Sequence, residues 1–247
     1  MIEFSQVIVI MMVMTFSNGK IPDYMNVCPY NHEDLSSCIK NSIMSLVPRL
    51  KNGIPELEIP SLEPLSINDI SFHSGSDAAN IATNISEIKI WGGSHFNILE
   101  LKVLSKRNRK IFRFRVMIPH VYVEGNYEMN TKLLFLNLNG QGPFKANITN
   151  YYFNCTLKGY SHKVGGSNHL KFEKFKCSVK MGSKMIYLEN LFADNKLISE
   201  AANGIINDNS DALFREIKPG LVSSIDKKFL DMANKITLTF TYEELFP

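Results

Sequence analysis

The sequence predicts an α+β protein in which a long, curved antiparallel β-sheet wraps around a long C-terminal α-helix. Three observations lead there. From Ile111 to Ile148 apolar and polar residues alternate with little interruption, the period of strands with one buried face. Two further alternating runs flank the glycine-rich stretch KVGGSN and carry Cys155 and Cys177. From Ile198 to Ile236 the apolar residues instead recur every three to four positions, the stripe of an amphipathic helix. An apolar sheet face and an apolar helix stripe must bury each other, and wrapping one around the other is the simplest solution. Periodicity leaves open whether the enclosed interior is packed solid or hollow.

In chain order, the first element is an apolar run from Val7 to Phe16. It has the length of a secretory core and is too short to span a bilayer. We read residues 1–19 as an export signal and 20–247 as one domain, although Glu3 stands where such signals carry Lys or Arg. No later run reaches membrane-spanning length, so the expectation is a soluble, secreted, extracellular monomer without stable membrane insertion. The formal charge of +3 over 247 residues lacks the basic stripe of a nucleic-acid binder. In an exported chain the four cysteines read as two disulfides rather than as redox or metal chemistry. Three sequons fit the same route, at Asn84, Asn147 and Asn154.

Cys28 and Cys38 bound a short loop, and closing its roughly ten residues is worth about 2–3 kcal/mol. A helix follows, with Ile39, Ile43, Leu46, Val47 and Leu50 on one stripe, and Pro48 ends or kinks it. In the alternating region, turns are expected at Pro119-His120, Asn130-Thr131 and Gly140-Gln141-Gly142. One register then sets Phe112, Phe114, Val116 and Ile118 against Tyr127, Gly125, Val123 and Val121; Val123, Gly125 and Tyr127 against Leu138, Leu136 and Leu134; and Leu138, Leu136 and Leu134 against Phe144, Ala146 and Ile148. A one-residue slip in any strand would turn its apolar set outward. The other face carries Arg113, Arg115, Glu124, Asn126, Lys145 and Asn147, with Arg115 across from Glu124.

A turn centred near Gly166 places Phe153, Cys155 and Leu157 opposite Val179, Cys177 and Phe175. Cys155 and Cys177 then form a cross-strand disulfide, with two buried free thiols as the alternative. His162 lies roughly 23 Å along the strand from Cys155 and on the other face, so no metal site is expected. At the C-terminal end the stripe is one long helix or two in line; Asn207-Asp208-Asn209-Ser210 resembles a fresh N-cap, and a bend is expected at Pro219.

The run CPYNHEDLSSCIKNSIMSLVPRLKNGIPELEIPSLEPLSI, then VEGNY, LNLNGQGPF and the ending from LENLF to EELFP, resembles the insect takeout and juvenile hormone binding protein family. The paired N-terminal cysteines, GIP, Glu63-Pro64, the G-x-G segment and the final LFP occur together and in order. The resemblance implies a secreted carrier whose curved sheet and long helix enclose an apolar tunnel, similar to the wider class of tubular lipid-binding proteins. It also implies the disulfide Cys28–Cys38. The expected partner is a hydrophobic small molecule, such as a juvenile hormone-like terpenoid, a fatty acid or another lipid, and no cofactor. Candidate lining residues are Ile43, Leu46, Phe112, Phe114, Val116, Tyr127, Leu134, Leu136, Phe153, Ile205, Leu213 and Phe229. Tyr127 is the polar candidate, since its hydroxyl needs a partner and an ester, acid or epoxide oxygen is one.

Two other readings compete. A hydrolase acting on a hydrophobic ester would need a nucleophile and base, and GGSH at Gly92 to His95 is the nearest approach. There is no G-x-S-x-G, HExxH or P-loop, so an enzyme is not expected. A membrane- or protein-docking module would use KRNRK at Lys106 to Lys110, whose place between two strands makes it a solvated hairpin turn.

Overall fold

The computed structural model describes residues 21–75, 79–106, 108–133, 136–192 and 195–247. The expected export signal lies outside them. Helix α1 (Leu35–Leu50) is followed by strands β1 (Leu65–Ile67), β2 (Ile70–Gly75), β3 (Ala79–Trp91), β4 (Asn97–Lys106), β5 (Arg109–Leu133), β6 (Leu136–Val164), β7 (Ser167–Lys180) and β8 (Lys184–Leu188). Helices α2 (Lys196–Asp208), α3 (Ser210–Thr239) and α4 (Tyr242–Leu245) close the chain. The strands form one antiparallel sheet in the order β1-β3-β5-β6-β7, with β2 also on β3, β4 on β5 and β8 on β6. Disulfides join Cys28 to Cys38 and Cys155 to Cys177.

The sheet is built on β5 and β6, which are far longer than ordinary strands. Each serves two neighbours in succession. β5 pairs with β4 through its first half and β3 through its second, while β6 pairs with β8 and then β7. The expected turns at Pro119-His120 and Gly140-Gln141-Gly142 are therefore not turns, because both strands run straight through them. Proline marks a different event at the first of these places. On β5 the buried residue Phe112 is even-numbered, whereas Val121, Tyr127 and Met129 are odd. On β6 the buried residues change from Phe144 and Ala146 to Tyr151 and Cys155. Both strands change phase at one rung, where Pro119 lacks an N–H and Asn150 takes a φ of 50°, so the same face stays apolar. The glycine at 140 answers to close approach instead, for a Cβ there would lie 2.7 Å from the Leu191 carbonyl oxygen.

The one hairpin between these strands lies between Leu133 and Leu136, four residues beyond the expected centre at Asn130-Thr131. Val123 accordingly meets Ala146 rather than Leu138. The displacement of eight partners is even, so inward residues still face inward residues. Arg115 is opposite Asn154, not Glu124, and its Nη2 is 3.7 Å from Glu100. Around the cysteines the expected register holds: Phe153 meets Val179, Cys155 meets Cys177 and Leu157 meets Phe175. A bulge after Lys158 then accommodates a turn at Gly165 and Gly166.

The helices are fastened to the sheet's free edges by side chains. In α2, Asn203 pairs with both backbone groups of Leu188, at 2.8 and 2.9 Å, and Asn207 with both of Ile186, each at 2.7 Å. Four helical residues rise about 6 Å and two strand residues about 6.8 Å, so i,i+4 amides fall beside alternate residues of β8. In α3, Asn234 binds Phe172 of β7 in the same way, at 2.7 and 3.0 Å, and Asp226 accepts from the Cys177 N–H at 3.1 Å. In α1, Ser36 Oγ accepts from Val103 N–H of β4 at 3.1 Å. Edge strands otherwise present these groups to any passing strand. On its other side α3 reaches β2, where a Cβ at Gly220 would lie 2.8 Å from the Phe72 ring. Both α1 and α3 continue through their prolines, Pro48 and Pro219.

Replacing Asn234 by Ala leaves both Phe172 backbone groups unpaired and is expected to cost about 2–3 kcal/mol in urea unfolding; an unchanged midpoint would contradict the edge-capping role. Asp226 behaves oppositely. Burial, opposed by the Cys177 N–H, holds its carboxyl above the ordinary 3.8. A raised value means that the protonated group favours the folded state, a contribution present below about pH 4 and lost as pH rises through the folded-state value. Asp226→Asn should therefore raise the unfolding temperature at pH 7, and the gain should vanish near pH 3. A lower stability at pH 7 would refute this.

Candidate functional site

Helix α3 passes the inward face of the sheet along most of its length. Leu213 and Ile217 pack in a cluster with Leu65, Phe72, Tyr127, Phe144 and Leu188. Further on, Phe214 and Val222 meet Val121, Tyr151 and Val179. Leu230 and Ala233 meet Phe112, Leu170 and Phe172, and Met232 and Ile236 meet Ile54, Leu57 and Phe240. From Leu213 to Ile236 is about 35 Å of helix.

Several inward residues around the Tyr151 and Phe112 clusters are only partly covered: Phe114 and Leu157 pack against the Phe112 cluster and Phe153 against the Tyr151 cluster. Phe114, Val116, Phe153, Leu157 and Phe175 of the sheet and Phe229 of α3 are only half-buried. Helix α1 contributes Ile43 and Leu46, also half-buried, and both lie on the stripe whose ends, Ile39 and Leu50, pack against clusters on either side. Phe175 bridges the sheet and the helix, with ring centroids 6.0 Å from Phe114 and 5.9 Å from Phe229. A core at ordinary density encloses such residues completely. Apolar surface that stays partly accessible is what a binding site for an oily molecule presents.

The other expected lining residues sit elsewhere. Phe112 is buried against Phe172, ring to ring at 5.7 Å, and Leu213 is buried in the first cluster. Ile205 of α2 is half-buried. Leu134 and the side chain of Leu136 lie outside the described residues. Tyr127 is buried, and its hydroxyl donates to the Glu189 carbonyl at 2.6 Å; burial pushes its pKa up to about 12. Its donor is already used within the fold.

Tyr151 presents the contrasting case. It is 6% exposed, its ring meets Phe153 edge-on at 4.4 Å, and its cluster is otherwise apolar. Burial raises its pKa above the ordinary 10.0, yet its hydroxyl has no hydrogen-bond partner among the described residues. Every fully enclosed side-chain nitrogen and oxygen among those residues does have one. The Tyr151 hydroxyl therefore keeps an open side. Sequence reasoning missed it because Tyr127 and Tyr151 are both inward tyrosines on alternating strands; only the fold shows which hydroxyl is spent.

The competing sites are engaged in structure. Ser94 Oγ donates to Glu63 at 2.7 Å, and the Gly92 and Ser94 N–H groups donate to the same carboxylate at 2.7 and 2.8 Å. Burial alone would raise the Glu63 pKa, but these bonds bring it below the usual carboxylate value. His95 is exposed. The KRNRK segment is a hairpin turn with Lys106 opposite Arg109, but Lys110 is buried rather than solvated. Its Nζ lies 4.2 Å from the Phe246 ring centre and 5.2 and 5.4 Å from those of Tyr30 and Tyr242, and burial lowers its pKa. Among the described residues no group of His, Cys, Asp or Glu is arranged to hold a metal, and no helix is long and apolar enough to cross a membrane.

Comparison with known proteins agrees with this architecture. The crystal structure of Epiphyas postvittana Takeout 1 superposes with a TM-score of 0.76 at 20% identity, covering 90% of this chain and 99% of that one. The circadian clock-controlled protein daywake of Drosophila melanogaster is 22% identical over 216 residues, 85% of this chain and 83% of its own. A putative beta-carotene-binding protein of Schistocerca gregaria is 20% identical over 216 residues, 87% of this chain and 84% of its own. The family model described as haemolymph juvenile hormone binding protein matches residues 7–247. The chain belongs to the haemolymph juvenile hormone binding protein family.

Proposed function

We propose that this protein is a noncovalent carrier of a hydrophobic small molecule bearing a neutral oxygen, such as an ester, epoxide, ketone or alcohol. The observation that carries the reading is the half-buried apolar surface of α1, α3 and the sheet, with the buried Tyr151 hydroxyl nearby, which has no protein partner among the described residues. Membership of a family named for binding juvenile hormone supports it, as does similarity to a putative carotene-binding protein. A chain of fifteen to eighteen carbons buries roughly 400 Å², or about 10 kcal/mol before the costs of immobilisation, which is enough for useful affinity without chemistry.

Tyr151 narrows the ligand class. A neutral phenol in an apolar site is a single donor that any neutral oxygen satisfies, and a ligand lacking one leaves it unpaired. An ionised carboxylate needs a counter-charge as well. Lys184, whose Nζ is 5.9 Å from the Phe214 ring in the same cluster, is already held by Asp211 at 2.5 Å. Export through residues 1–19, a single domain over 20–247 and a monomeric extracellular state complete the proposal.

Displacement of a fluorescent hydrophobic probe tests it. Long-chain esters, epoxides or alcohols should displace the probe, and Tyr151→Phe should weaken them about five- to tenfold, the loss of one hydrogen bond of about 1 kcal/mol, while a hydrocarbon of equal length is unaffected. Failure of every lipid to displace the probe would refute the carrier, and equal binding by Tyr151→Phe would refute the anchor.

A further inference from the structure

One rung on the outward face of the sheet differs from those beside it. Directly opposed partners place Trp91 of β3, Tyr122 of β5, Asn147 of β6 and Met185 of β8 in a row. At about 4.8 Å between strands the row is about 14 Å wide. The Trp91 and Tyr122 ring centres are 5.4 Å apart. Met185 is 64% exposed, and Tyr187, two residues along β8, is 48% exposed. The adjacent rung carries Lys89, Glu124 and Lys145, with Tyr187 at its β8 end, so the apolar surface is the Trp91 row plus Tyr187, bordered by charge. Water-facing apolar rows of this kind mark contact with something else.

Asn147 lies inside that row and begins the sequon Asn147-Ile148-Thr149. The His120 Nε2 lies 3.2 Å from Asn147 Oδ1, which engages the amide oxygen and leaves Nδ2, the atom that sugars are attached to, with no hydrogen-bond partner among the described residues. The other two sequons lack such surroundings. Asn84 is flanked by Ser71 and Glu128, and Asn154 by Arg115 and Ser178. Pyranose rings present C–H faces that stack on aromatic rings, so the occupant for which both the attachment point and the surface are present is a sugar chain.

We infer that Asn147 carries an N-linked oligosaccharide whose first sugars lie on Tyr122, Met185 and Tyr187 and shield this row from water. In the attachment step, Nδ2 bonds to the anomeric carbon of an oligosaccharide carried on a lipid pyrophosphate. The bond from that carbon to the pyrophosphate oxygen breaks, and the amide gives up one proton as the lipid pyrophosphate leaves. The inference rests on the export reading, since this transfer occurs only on the secretory route.

The test is to produce the full chain in insect cells and map sugar masses on its peptides, in cells and in medium. A sugar mass on the Asn147 peptide, lost in Asn147→Gln, is expected. The chain's single tryptophan, Trp91, then reports shielding: iodide quenching and hydrophobic-dye binding should both rise when the sugar is removed enzymatically or by Asn147→Gln. An exported chain with Asn147 bare would overturn the inference alone. A retained chain with all three sequons bare would overturn it together with export. Sugar on Asn147 whose removal changes neither quenching nor dye binding would overturn the shielding.

Discussion

An open sheet leaves rows of backbone donors and acceptors along its edges, and here those rows decide where the helices lie. Asn203 and Asn207 hold α2 on β8, Asn234 and Asp226 hold α3 on β7, and Ser36 holds α1 on β4. Unpaired edge groups invite association with other strands, so pairing them from helices protects the sheet. It also separates two tasks that most folds combine. A helix fixed by side-chain amides at an edge need not be held by dense packing against the middle of the sheet. Apolar residues of α1, α3 and the strands can then stay half-buried, as Phe114, Val116, Ile43, Leu46 and Phe229 are.

Sealing is instead concentrated where the edges meet. The cluster around Leu65, Phe72, Tyr127 and Leu188 closes one region, and those around Phe112 and Phe240 close another. Lys110 belongs to the second closure. With its ammonium among three aromatic rings, the β4–β5 hairpin is tied to the C-terminal segment, a use of charge that a basic run in a sequence does not suggest. Glu63 performs the matching task near Gly92, where one carboxylate takes three donors from a single loop.

Much of this was legible in the chain because parity survives error. The hairpin centre is displaced and β5 and β6 run on through two expected turns, yet the inward sets hold: the hairpin displacement is an even number of partners, Leu138 and Phe144 keep one parity along β6, and the phase change at Pro119 returns Phe112 and Tyr127 to the same face as a turn there would. The Cys155–Cys177 pairing is readable from a turn centred near Gly166, although the turn at Gly165 and Gly166 alone would set Cys155 against Lys176 and the bulge after Lys158 restores the pair. The phase change at Pro119 and Asn150 was not readable, because proline and asparagine signal a turn in most contexts and only the paired strand shows that the ladder continues. Asn203, Asn207 and Asn234 carried a faint signal as polar residues within an apolar stripe, which periodicity treats as interruptions. Which tyrosine hydroxyl is free depends on the position of the Glu189 carbonyl, far away in sequence, and no local pattern contains that.

On the carrier proposal, the half-buried surface around the Tyr151 and Phe112 clusters is a place for a lipid rather than a loosely packed core. Native mass spectrometry of the gently purified protein tests it most directly. A carrier should give a one-to-one complex whose extra mass disappears on solvent extraction and is recovered as a neutral, oxygen-bearing lipid. A spectrum showing only the bare chain, both as purified and after incubation with such lipids, would contradict it.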